Sequence, residues 1–200
     1  MKKYLVSFLM IFMFVCCLTG CKKDKTSDID KFINSVLDSE KTFTAYDEVD
    51  TIFTTDGQEL YSKHIAFSIE RGDEIKTSFQ QIEKRFDAAE KVTSYTTIGD
   101  KKYVGQAESS YEVPNYWLIF ALNKDYLLDG YTLETNDDTT VLKAKIIDDK
   151  MAEFFLQEGI IIKSLVVQIN VKDGKLTRFE ANYKSDTNNT TQMIVTYSYK

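Results

Sequence analysis

Leu165-Val166-Val167-Gln168-Ile169-Asn170-Val171-Lys172-Asp173-Gly174-Lys175-Leu176-Thr177-Arg178-Phe179-Glu180-Ala181-Asn182-Tyr183 holds two alternating apolar runs around one turn signal. Leu165, Val167, Ile169 and Val171 recur with period two, as do Phe179, Ala181 and Tyr183. That period puts each set on one face of a strand. Asp173-Gly174 supplies the positive φ that a tight hairpin needs. The spacing therefore predicts strands over Ile160–Val171 and Leu176–Lys184, joined as a hairpin. After the polar loop 185–190, Met193, Val195, Tyr197 and Tyr199 continue the pattern as a last strand.

Toward the N-terminus the same alternation returns. Phe43, Ala45, Val49 and Phe53 read as one strand face, and Asp56-Gly57 marks a turn. Tyr61, Ile65, Phe67 and Ile69 follow, then Gly72-Asp73, then Ile75, Thr77 and Phe79. A phase change toward Ile82 and Phe86 reads as a bulge near Gln80. Val92–Ile98 and Lys102–Gln106 flank Gly99-Asp100 as a further hairpin. Tyr131–Glu134 and Thr140–Ile147 read as strands joined through Asn136-Asp137-Asp138.

Helical signals are few. Ser27 is a good N-cap, and Ile29, Phe32, Ile33, Val36 and Leu37 form one apolar stripe that ends before Thr42. Met151, Phe154 and Phe155 give an apolar side to a short helix over Asp148–Gln157, with Gly159 as its stop. The run Tyr116–Leu122 is too apolar to show a period and suits a buried helix or a buried strand. Pro114 at its start favours helical turns through about Leu128.

The first residues have a different character. Met1-Lys2-Lys3 precedes an apolar run from Tyr4 to Leu18, broken only by Ser7. That run falls short of the about 20 apolar residues a spanning helix needs, and a charged start before a short apolar run reads as a secretory signal. Leu18-Thr19-Gly20-Cys21 at its end resembles the lipobox of bacterial lipoprotein precursors. The resemblance implies cleavage between Gly20 and Cys21 and a diacylglyceryl group on the Cys21 thiol, so that residues 1–20 are a signal peptide. It places the chain on the extracytoplasmic face of the cell membrane, held by its acyl chains, since two chains anchor stably where one does not. Residues 21–26 would be the lipidated Cys and a short tether, and 27–200 a single domain. Lys22, Lys23 and Lys25 suit either anionic headgroups, at about 1 kcal/mol each, or a solvated spacer.

The order of elements, with the lipobox and the Val166–Leu176 hairpin, resembles the LolA-type lipoprotein carriers and the LppX/LprG-type lipoproteins. The resemblance implies an α+β fold: a strongly curved antiparallel sheet, an incomplete β-barrel, with helices packed on its concave face. It also implies an apolar space that takes a lipid or another hydrophobic or amphiphilic ligand. Trp117, Phe120, Phe154 and Phe155 are the candidate lining residues, although aromatics on such segments more often fill a core. No arginine matches the one implicated in lipoprotein carriage by LolA, so that activity is not carried over. The alternative is a non-catalytic module that contacts another cell-envelope protein.

Composition narrows the remaining classes. The net charge of −6 offers no footprint for nucleic acid. Cys16 and Cys17 fall in the signal and Cys21 takes the lipid, which leaves no disulfide. His64, the single histidine, lies on the polar side of its strand. No nucleophile elbow, phosphate loop or calcium-loop spacing occurs. No catalytic residue, metal or cofactor is expected, and Asp47, Glu48 and Asp50 read as a solvated strand edge. The N-terminal peptide of the chain recovered from membranes should carry the diacylglyceryl mass on Cys21; an unmodified Cys21 thiol in that peptide would contradict the anchor.

Overall fold

The computed structural model describes residues 25–110, 118–155, 162–185 and 188–200. Gly20, Cys21, Trp117, Gln157 and Gly159 lie outside them. The chain opens with helix α1 (Lys25–Ser39). Six strands follow as a meander: β1 (Ala45–Phe53), β2 (Glu59–Arg71), β3 (Ile75–Arg85), β4 (Lys91–Ile98), β5 (Lys101–Val104) and β6 (Ala107–Ser110). A second set comprises β7 (Thr132–Asn136), β8 (Thr139–Lys145), β9 (Ile162–Lys172), β10 (Lys175–Ser185) and β11 (Thr190–Ser198). Between β8 and β9 lie a 3₁₀ turn, Asp148–Lys150, and the one-turn helix α2 (Met151–Phe154).

All eleven strands form one antiparallel sheet in the order β6-β5-β4-β3-β2-β1-β11-β10-β9-β8-β7. Among the described residues the two ends, β6 and β7, do not pair, so the barrel is incomplete. Nine of the ten neighbour relations are hairpins or local connections; the tenth, β1 with β11, joins the start of the sheet to its end. That ladder runs unbroken from Ala45↔Ser198 to Phe53↔Thr190.

One face of the sheet carries the core. Leu165, Val167 and Ile169 of β9 face the same way as Tyr183, Ala181 and Phe179 of β10 through their register, and all but Tyr183 are fully buried. α1 packs its Ile29, Phe32, Ile33 and Val36 stripe onto β9 and β10. Ser39 fastens the end of that helix: its hydroxyl donates to the Ser35 carbonyl (2.7 Å) and accepts from the Leu176 N–H (2.8 Å). Arg71 fixes the turn from α1 into β1, donating to the carbonyls of Phe43 and Glu40 while lying over the Phe43 ring.

Five expectations change. α1 is already helical at Lys25, so Lys25 and Thr26 belong to the helix and Ser27 stands inside it. The segment Leu118–Asn123 is not helical; only Lys124–Tyr126 forms a 3₁₀ turn, capped by the Asn123 side chain. Leu118, Phe120 and Leu122 are buried in alternation, as in an extended strip, and Leu127 bridges to Ile146. The expected bulge near Gln80 is absent, because the β2–β3 register is continuous; the irregularity lies at Ile52/Phe53 instead. Ile82 simply faces the other side, paired with His64, and Phe86 is exposed beyond the strand. The short helix at 148 divides into the 3₁₀ turn and α2. Last, β1 buries the opposite phase from the one its apolar residues suggest. Val49 is exposed, while Glu48 and Asp50 are buried.

Replacing Ser39 with Ala leaves the buried Leu176 N–H without an acceptor. Urea unfolding should then show a loss of about 1–3 kcal/mol, with the exposed Asn34→Ala in the same helix near neutral; equal effects would contradict the fastening role.

Candidate functional site

β1 is positioned by both neighbours, and their registers place its inward residues in rows that run across the sheet. The first row is aromatic: Tyr197, Tyr46, Phe67, Phe79 and Tyr95, on β11, β1, β2, β3 and β4 in turn. Tyr46 stacks on Phe67 at 4.9 Å, and Phe79 on Tyr95 at 4.7 Å. Phe43, from the turn after α1, meets Tyr197 edge-on at 5.5 Å and closes one end of the row.

Two residues along each strand, about 7 Å away, the row reads Val195, Glu48, Ile65, Gln81 and Thr93. Two further on it reads Met193, Asp50, Lys63, Glu83 and Lys91. From Asp50 onward the last row alternates in charge across four strands. The same face thus changes from aromatic to ionic over two strand repeats.

The ionic row has a buried head. The Lys63 Nζ lies 2.8 Å from Glu48 Oε1 and 2.7 Å from Asp50 Oδ2. The two carboxylate side chains are 5% and 8% exposed, and Lys63 keeps 22%. One ammonium serves two carboxylates, so the cluster carries one negative charge in excess. Asp50 Oδ1 is buried without a hydrogen-bond partner. Desolvation on this scale is costly unless each charge is compensated, and Asp50 shows the imbalance. Burial, and then the neighbouring Glu48, push its carboxyl up to about 6 against the pull of Lys63. Burial opposes the charge on Lys63 too, but Glu48 and Asp50 outweigh it and hold the ammonium above its ordinary range. The next row sets Tyr183, Thr191, Ile52 and Tyr61 beside the cluster, and burial raises the Tyr183 hydroxyl.

The site residues suggested by the sequence fall elsewhere. Phe120, Phe154 and Phe155 are buried together around Phe179, which Phe120 stacks on at 4.2 Å and Phe154 meets at 6.0 Å. Phe155 also reaches Tyr183 at 5.4 Å. They form an aromatic block over the β9–β10 half of the same face. Trp117, Gly20 and Cys21 lie outside the described residues. His64 is on the opposite, exposed face, 3.5 Å from Asp47. Glu48 and Asp50 are not a solvated edge, because β1 lies in the middle of the sheet. A sequence signal for the cluster exists: counting outward from Asp56-Gly57 as a two-residue turn sets Asp50 opposite Lys63.

β1–β5 carry an open groove. Ala45, Ser68 and Ser78 share one row, and Ala66 and Ser94 the next; Asp47, Gln80, Thr96 and Tyr103 rise around them. The groove has a volume of about 650 Å³, and Tyr46, Phe67, Phe79 and Tyr95 of the aromatic row line it as well.

The raised carboxyl of Asp50 gives a signed pH dependence. Folding favours its protonated form, so the stabilisation is complete below the unfolded value near 3.8 and is lost as pH rises through about 6. Relative to Asp50→Asn, the native chain should lose up to about 3 kcal/mol between about pH 3.5 and pH 7. Urea unfolding of both proteins across that range checks it, and parallel stability curves would contradict it.

No family model and no curated protein matches the chain. Among solved structures it is similar to the crystal structure of LprF from Mycobacterium bovis, at 13% identity and a TM-score of 0.45, over 86% of this chain and 92% of that one.

Proposed function

We propose that the protein is a lipoprotein anchored at the extracytoplasmic face of the membrane through Cys21, and that its sheet binds a hydrophobic or amphiphilic ligand. The observation that carries the ligand reading is the graded inner face. Tyr46, Phe67, Phe79 and Tyr95 offer apolar contact, and Glu48, then Asp50 and Lys63, offer charge about 7 and about 14 Å along the strands. An amphiphile has the same polarity, an apolar body joined to a polar head. Binding sites of this kind combine apolar walls with a few placed polar groups. Among the described residues no helix is long and apolar enough to cross a membrane, and attachment rests on the Leu18–Cys21 lipobox. The reading assigns a binding role and no catalytic one.

A second reading draws on the edges of the sheet and the groove along β1–β5. Among the described strands β6 and β7 are the edges of the sheet; edge strands can accept strand addition by a partner, and this suits a module that contacts another envelope protein.

Native mass spectrometry of the chain purified without detergent separates the two. An amphiphile should co-purify and be released on unfolding. Absence of any adduct, together with a covalent cross-link from Ser78 or Ser94 in the groove to an envelope protein, would overturn the ligand reading in favour of the second.

A further inference from the structure

We infer that the Glu48–Asp50–Lys63 cluster recognises the head of the ligand, and that this head bears an alkylammonium rather than a carboxylate, sulfate or phosphate alone. The inference rests on the ligand reading above and names the head-group class.

Three observations carry it. The cluster already seats one alkylammonium, the end of Lys63, between two carboxylates at 2.8 and 2.7 Å. That ammonium leaves one negative charge uncompensated, and one acceptor, Asp50 Oδ1, is unpartnered although Asp50 is only 6% exposed. A second N–H donor with a positive charge meets both deficits, and charge-assisted bonds to carboxylate are the strong kind. A carboxylate or phosphate head would add negative charge beside Glu48 and Asp50 and leave Oδ1 without a donor. Lys63 is the member of the cluster that still touches solvent. The route to Asp50 therefore runs past a long, flexible side chain that can swing aside or share the carboxylates. Along the same row Glu83 and Lys91 cancel each other, and Arg85, opposite Tyr61 in the next row, is exposed at the end of β3, one row farther from Asp50.

The test uses the full chain in lipid nanodiscs, titrated with n-hexylammonium, n-hexanol or n-hexanoate at about pH 8, where Asp50 and the amine are both charged. The readout is the thermal unfolding midpoint, which rises with any ligand that binds the folded state. Hexylammonium should raise the midpoint at concentrations about tenfold below those needed for hexanol or hexanoate. Asp50→Asn should abolish that advantage. Lys63→Met, which empties the seat, should lose stability and recover part of it with hexylammonium but not with hexanol. Equal responses to the three compounds, a stronger response to hexanoate, or an advantage that survives in Asp50→Asn would overturn the head-group assignment and leave the amphiphile reading standing. No response to any of the three would overturn both. If Asp50→Asn does not fold, the ranking of the three compounds on the native chain and the rescue of Lys63→Met decide.

Discussion

The ladder between β1 and β11 is the constraint on which the rest depends. The other strand pairs join strands consecutive in sequence, so each half of the sheet is built from near neighbours. Among the described strand pairs only β1–β11 ties the halves together, over the nine partners from Ala45↔Ser198 to Phe53↔Thr190. It also decides which side of β1 faces inward. Val195 and Met193 are buried by β10 and the core behind it, so their partners Glu48 and Asp50 are buried with them. The ionic cluster is thus a consequence of register. A slip of one residue would put Val49 inside and both carboxylates in water.

That the native register buries Glu48 and Asp50 instead of Val49 needs a compensating interaction, and Lys63 supplies it. A hydrophobic residue at each position would fill the same space without desolvating three charges. The retained cluster therefore combines poorly with a purely structural role. It combines well with a face whose task is to distinguish the two ends of an amphiphile. The aromatic row lies on the same face, two strand repeats away, and it is built by the same registers.

Much of the fold is legible in the sequence, because the signals there are local. The β9–β10 hairpin follows from period two around Asp173-Gly174, whose residues adopt φ of 50° and 74°. The α1 stripe of Ile29, Phe32, Ile33 and Val36 buries as its spacing implies. The failures occur where apolar residues occupy both phases or none. In β1, Ala45, Val49 and Phe53 compete with Tyr46 and Ile52, and only the neighbouring strands choose between them. In Leu118–Leu122 every position is apolar or nearly so, and the chain runs extended because Ala121 donates to the Phe154 carbonyl at 2.7 Å rather than to a helical partner. The candidate site was the least legible part. Its three charges come from two strands and look like surface residues until the hairpin at Asp56-Gly57 is folded and the β11 partner is in place.

The central claim is that the inner face, graded from aromatic to ionic, is the surface that meets an amphiphile. Paramagnetic relaxation in the NMR spectrum of the chain, with an amphiphile spin-labelled on its apolar tail, tests it most directly. The account predicts selective broadening of the ring signals of Tyr46, Phe67, Phe79 and Tyr95, with Val49 and His64 on the opposite face unaffected. Broadening of Val49, His64 and Ile82 that equals or exceeds that of the rings would contradict it.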